Sequence, residues 1–302
     1  MNMTTVRKSK LLALISLLDD PDQMIFDAVE KELLKESARI IPDLEYVWES
    51  TVHDVCQERI GRLIRRIRFK EEIRHLRGWS AKSDPDLLEG FIIISRYLFP
   101  EISVEKVYRR IEELRKRVWV ELNNSLTSLE KITVLNHIFF NEYRFRIVSD
   151  NQENMKSHSV AHLLESATGS MVAFSLLYQI VARKLEFPVR YIDFPRHPLL
   201  AYADRKIAAR VHPDVETDIL FYINPSGKGS ISGRRELEFV LRKMNPVIEI
   251  NRLEPGSSST FLLRLLESID QSAALTGETY RSQEIQQMKK VLGAHLKVKN
   301  LK

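Results

Sequence analysis

The run Met171–Leu185, MVAFSLLYQIVARKL, constrains the fold more than any other stretch, because it is apolar nearly all the way round a helix. Its polar members Ser175, Gln179 and Arg183 recur every fourth residue and so fall on one stripe. A helix apolar on its other faces belongs at the centre of a core. Pro188 ends the helical pattern, and beyond it the period shortens. Val189–Phe194, Pro198–Tyr202, Ile207–Val211 and Ile219–Ile223 read as short strands joined by turns. Asn224-Pro225-Ser226-Gly227-Lys228-Gly229 is turn chemistry, and Arg234–Lys243 reads as a helix behind it. A buried helix feeding a small antiparallel sheet is an α+β layout, not an alternation of βαβ units.

On the amino-terminal side the chain reads as helix after helix. Leu11, Leu14, Ile15 and Leu18 keep one apolar face, and Asp19-Asp20-Pro21-Asp22 supplies a stop and a restart. Phe26, Val29, Leu33 and Leu34 carry the next helix, Ile40-Ile41-Pro42 breaks it, and Leu44, Val47 and Trp48 begin a third. These residues resemble one unit of a HEAT-like helical repeat. The stretch Arg59–Arg77 is strongly basic, but Ile60, Leu63, Ile64, Ile67, Ile73 and Leu76 run an apolar stripe through it. Its cations are therefore the wet face of an amphipathic helix rather than a phosphate track, and nucleic acid is not the expected partner. Leu87–Tyr97 and Ser103–Val120 are two further helices. After Pro255-Gly256-Ser257-Ser258-Ser259, Phe261–Ile269 and Gln283–Val291 read as a helical hairpin. The expected organisation is a helical region at 1–122, an α+β core at 123–250 and a helical tail at 251–302.

Composition narrows the setting. Only 10 Gly and 11 Pro in 302 residues favour long helices over a many-turned β-sandwich. A net charge of +5 is small for this length and does not itself argue for an anionic partner. The one cysteine, Cys56, excludes an internal disulfide and a thiolate-rich zinc site, so a reducing, cytoplasmic compartment is expected. The basic start Arg7-Lys8-Ser9-Lys10 before Leu11–Leu18 reads as a first helix rather than a secretory leader. No stretch approaches the ~20 apolar residues that span a bilayer, so no membrane association is expected.

A buried helix followed by a small antiparallel sheet is the frame of the cysteine-nucleophile transferases and proteases. There the nucleophile sits at the amino end of the helix, where the helix terminus stabilises a thiolate. A histidine on the neighbouring strand takes the proton, and an Asp or Asn on the next strand orients it. Here His197 opens the strand Pro198–Tyr202 and Asn224 ends the strand Ile219–Ile223.

Three stretches carry a likeness: LNHIFF at 135–140, ESATGSMVAFSLLYQIVARKLEFPVRYIDFPRHPLLAY at 165–202 and FYINPSGKGSISGRRELEFVL at 221–241. The chain resembles the transglutaminase-like superfamily, and within it the SirB-type branch. The matching pieces are Gly169, Ser175-Leu176-Leu177-Tyr178, Ala182-Arg183-Lys184-Leu185, Pro188-Val189, Pro195-Arg196-His197, Ile223-Asn224-Pro225 and Gly227-Lys228-Gly229. The tail 257–296 is similar to the TPR-like helix pair that often follows in that branch. The resemblance implies a papain/transglutaminase-like core and places the family histidine on His197 and the orienting acid on Asn224. It places the nucleophile on Met171, whose thioether has no proton to lose. Ser170, beside it, reads as a helix N-cap, and Cys56, in the helical amino-terminal region, as a core thiol.

The expectation is therefore a non-catalytic protein that binds a protein or peptide partner without a cofactor, with Ser175, Tyr178 and Gln179 as candidate binding residues beside His197 and Asn224. His197 is either a structural histidine or part of that cleft. The alternatives are a hydrolase or acyltransferase of non-cysteine mechanism using His197 and Asn224, and nucleic-acid binding through residues 59–77. His158 and His162 stand four apart, a spacing that puts two side chains on one helical face, but no third metal ligand is obvious and no metal is expected.

Overall fold

The computed structural model describes residues 11, 13–20, 22–149, 153–194, 198–212, 216–244, 253 and 255–299. The chain divides into two compact units, Met1–His75 and Leu76–Lys302, with the division inside one long helix.

In the first unit a 3-10 turn, Leu17–Asp19, precedes α1 (Gln23–Leu33), whose N-cap Asp22 accepts from Met24 N at 2.8 Å. The helix α2 (Ile41–Ser50) carries Pro42 in its first turn, where no amide donor is needed. The long helix α3 (Asp54–Ser80) follows. Leu18, Phe26, Val29, Leu33, Leu44, Ile60, Leu63 and Ile67 form the core of this unit. Cys56 is buried in it, and its thiol donates to Leu18 O. The basic residues of α3 are tied to the same unit. Arg66 pairs with Glu30 and Arg68 with Glu45, each at 2.6 Å. Arg59 donates to Asp20 O at 2.9 Å and lies over the Phe26 ring, and Lys70 donates to Leu34 O at 2.8 Å.

The second unit runs from the end of α3 through α4 (Leu87–Leu98), α5 (Val104–Val120) and α6 (Ser128–Asn136). Each start is capped: Asp86 accepts from Glu89 N, Ser103 from Lys106 N, and Thr127 and Glu130 form a reciprocal capping box. A π-helical turn, His137–Glu142, continues α6. A short parallel pair, β1 (Arg146–Ile147) with β2 (Thr168–Gly169), brackets a 3-10 turn, Met155–His158, and α7 (Val160–Ser166). The central helix is α8 (Met171–Lys184), with every residue from Val172 to Ala182 buried. Then come β3 (Val189–Ile192), β4 (Leu199–Ala203), α9 (Arg205–Val211), β5 (Ile219–Asn224), β6 (Ser230–Ser232) and α10 (Arg234–Met244). The strands form one antiparallel sheet in the order β3-β4-β5-β6, with Leu200 opposite Ile223 and Tyr222 opposite Ser232. A helical hairpin, α11 (Ser258–Thr276) and α12 (Thr279–Lys299), follows.

The fold is α+β: α8 packs against α4, α5, α7 and α11 and against β3 and β4. One expected strand is a helix. Residues 207–211 belong to α9, because Asp204 caps it by accepting from Ile207 N at 3.1 Å. Between Ile207 and Val211 the sequence Ala-Ala-Arg is helix-forming, and the cap outweighs the two β-branched residues. Gly90 on α4 is required by close packing, since a Cβ there would lie 2.4 Å from Leu262 Cδ1 and 2.7 Å from the Trp79 ring. Among the described residues no helix is long and apolar enough to cross a membrane.

Candidate functional site

The amino end of α8 is where the resemblance places a nucleophile. Ser170 is the N-cap, fully buried, and its Oγ accepts from Ala173 N at 3.2 Å. Its own amide donates to Ser157 O at 2.7 Å. The Ser170 hydroxyl is also 3.1 Å from Nδ1 of His158, whose Nε2 is 2.9 Å from Ser272 Oγ on α11. His158 has no exposed surface, and burial pushes its pKa down to about 4, so the ring is neutral at neutral pH. Met171, the first residue of α8, is half-buried, and its carbonyl accepts from Ser175 Oγ at 2.8 Å.

Further along α8, Tyr178 is fully buried among Phe139 and Phe174 and donates to Asn136 Oδ1 at 2.8 Å. Burial holds its hydroxyl well above the usual phenol range, so it stays a donor. The Asn136 amide in turn donates to Gly229 O at 2.9 Å. This clamp fastens α8 to the β5–β6 turn. Gln179 is 4% exposed, and its Oε1 has no hydrogen-bond partner among the described residues, a costly arrangement for a buried carbonyl.

Asn224 ends β5 and organises the turn after it. Its Oδ1 accepts from Ser226 N at 3.1 Å and from Ser226 Oγ at 2.7 Å, while its carbonyl accepts from Gly229 N at 2.9 Å. Beside it lies a cavity of about 370 Å³ between the sheet and α10, floored by Phe194, Leu199, Tyr222 and Leu237 and rimmed by Asn224 and Glu236. The register of Leu200 on Ile223 brings the chain into β4 at the Asn224 end of the sheet. His197 lies outside the described residues.

The expected site residues thus fall on two elements joined by one clamp: Met171, Ser175, Tyr178 and Gln179 on α8, and Asn224 at the end of β5. His158 and His162 do not share a helical face. His158 sits on the 3-10 turn, Ser159 between them is extended, and His162 is on α7. His162 lines a separate groove of about 760 Å³ with Lys106 and Lys156, and burial with the Lys156 charge lowers its pKa. Among the described residues no three His, Cys, Asp or Glu side chains are placed to hold a metal ion. Sequence reasoning misses Asn136 and Ser272, and it weighs His158 only as a metal ligand, not as the partner of Ser170 and Ser272. Asn136 stands inside the LNHIFF segment, but its partners lie 42 and 93 residues away, beyond any local pattern.

The family model described as the transglutaminase-like superfamily matches residues 105–267, more than half of the chain. Curated relatives include F-box only protein 21 of Homo sapiens, Pongo abelii and Mus musculus. Each is 26% identical over 219 residues, covering 62% of this chain and 34% of the relative. The chain therefore spans about a third of the length of these relatives. No solved structure matches.

Proposed function

Because the chain belongs to the transglutaminase-like superfamily, we propose that it is a non-catalytic binding module whose cleft, at the Asn224 end of the sheet, takes a protein or peptide partner. The observation that carries this reading is the first turn of α8. Met171 begins the helix; the resemblance gives this position to the attacking thiolate, and a thioether cannot ionise. Cys56 is no substitute, since it is buried in the helical core of the first unit. Ser170 is committed as a cap and is fully buried.

Within the superfamily we place the chain in the SirB-type branch, with a HEAT-like helical region before the core and a TPR-like helix pair after it. Such helical arrays suit peptides and partner helices. In this reading His197 and Asn224 are retained groups of the cleft, and the cavity beside Asn224 supplies an apolar floor with a polar rim. A reducing, cytoplasmic setting accords with a single buried cysteine.

The test is selection of binding peptides from a display library on the purified chain, followed by titration against Val240→Trp. Val240 lines the cavity and is 38% exposed, so the larger ring fills the space without disturbing the core. The expected result is at least a tenfold loss of affinity, about 1.4 kcal/mol. Equal binding by the filled variant would move the cleft elsewhere.

A further inference from the structure

The buried histidine at the amino end of α8 has a second role, independent of what the cleft binds. His158 joins two elements that are distant in sequence: Ser170 on α8 through Nδ1 and Ser272 on α11 through Nε2. Both hydroxyls are buried, as is Ser157 beside them. A neutral imidazole has one donor and one acceptor nitrogen, and serine hydroxyls can serve either. An imidazolium has two donors and no acceptor. Ser170 Oγ already accepts from Ala173 N, so a charged ring would force it to accept twice and leave its own proton unplaced.

We propose that Ser170, His158 and Ser272 form a latch, in which the neutral imidazole holds the carboxyl half of α11 against the amino end of α8 and charging of the imidazole releases it. The other end of α11 is anchored separately. Phe261, in its first turn, stacks on Tyr191 of β3 with centroids 4.1 Å apart, and Gly256 N donates to Tyr191 O at 2.8 Å. Asp270 ties the segment to α12 through Gln286 and Lys289, each at 2.8 Å, so release loosens Ser268 to Thr276 from the amino end of α8 while the first turn stays seated.

The surroundings decide the sign. On α11 the ring meets Ser272, with Ser268 one turn earlier; on α8 it meets Ser170. Ser95 of α4 is occupied by Val160 N at 3.0 Å. Glu153, 3.8 Å from Nε2, is the carboxylate within 4 Å of the ring among the described residues, and it accepts from Ser268 Oγ at 3.3 Å. Lys156, on the same turn as His158, is exposed. Burial, not a neighbouring charge, governs the ring and disfavours its charged form while the latch is shut. An opened latch exposes the ring to water and restores its ordinary affinity for a proton. Opening then rises about tenfold per unit as pH falls below about 6.5, until the shut form also protonates.

Hydrogen exchange of the full chain, corrected for intrinsic rates, reads this directly at pH 7.0 and pH 4.5. In the wild-type chain, opening of residues 268–276 is expected to rise about 50-fold while residues 258–264 change little. In His158→Gln, which keeps a donor and an acceptor but does not titrate, the rise is expected to vanish. Ser272→Ala, which removes one arm and keeps the histidine, should raise opening at pH 7.0 about tenfold and retain the pH dependence. A wild-type profile flat with pH, or the same slope in His158→Gln, overturns the latch. If His158→Gln does not fold, an unchanged opening in Ser272→Ala overturns it equally.

Discussion

Tyr178 gives its hydroxyl proton to Asn136 Oδ1 across 2.8 Å, and the Asn136 amide passes the link to the Gly229 carbonyl. Three segments meet in this contact: α8, the end of α6 and the turn that follows Asn224. The contact fixes where the sheet end stands relative to the central helix, and with it the shape of the proposed cleft.

Tyr178→Phe removes the donor and leaves Asn136 Oδ1 without it in a part-buried site. The expected cost is about 1–2 kcal/mol, read as a lower urea midpoint with an unchanged slope. Asn136→Ala should cost more, because it also frees the Gly229 carbonyl. In the double variant the two effects should fall short of additivity by at least about 0.5 kcal/mol. Strict additivity would mean that the clamp carries no energy.

Gly229 has φ +76°, and a Cβ there would lie 2.0 Å from Asn136 Oδ1. Gly229→Ala therefore meets both backbone strain and a clash, and should lose about 2 kcal/mol or more. Gly233→Ala is the control, since nothing lies within 4 Å of its Cβ position and its φ is not in the left-handed region. Thermal unfolding should separate the two variants by several degrees. Equal midpoints would remove the steric argument.

Met171→Cys puts a thiol at the first turn of α8, where the helix terminus favours a thiolate. The introduced thiol should react with iodoacetamide about tenfold or more faster than Cys56, which is buried. Peptide mapping of the alkylated chain distinguishes the two. Modification confined to Cys56 would show that position 171 does not face a site of that kind.

The pKa of His158, lowered to about 4, also makes folding depend on pH. The unfolded ring takes a proton near pH 6.5 and the folded ring only near pH 4, so the unfolded state binds more protons in between. Stability from this group is complete above about pH 6.5 and is lost as pH falls toward 4, by about 3 kcal/mol in all. Chemical denaturation of the wild-type chain and of His158→Gln across this window isolates the effect as their difference. A constant difference between the two would contradict it.

The sequence made legible what short-range physics decides. The largely apolar run of α8, its Ser170 cap, the antiparallel strands β3 to β5 and the terminal hairpin follow from periodicity and punctuation within a few residues. The basic stretch of α3 was legible for the same reason, because its apolar stripe outweighed its charge. The helix α9 is not legible in its β-branched pattern, which is too short to be diagnostic, because a single cap at Asp204 decides against a strand. The polar contacts of the site were not legible. His158 finds Ser272 from 114 residues away and Asn136 finds Gly229 from 93, and only tertiary packing brings such partners together.

The most direct measurement of the central claim is intact-mass spectrometry of the wild-type chain incubated with an activated acyl ester and a primary amine at neutral pH. With a thioether at the first position of α8 and its neighbouring hydroxyl sealed away, the account predicts an unmodified mass and no acyl transfer to the amine. A stoichiometric acyl adduct mapped to residues 169–175, discharged by the amine, would contradict it.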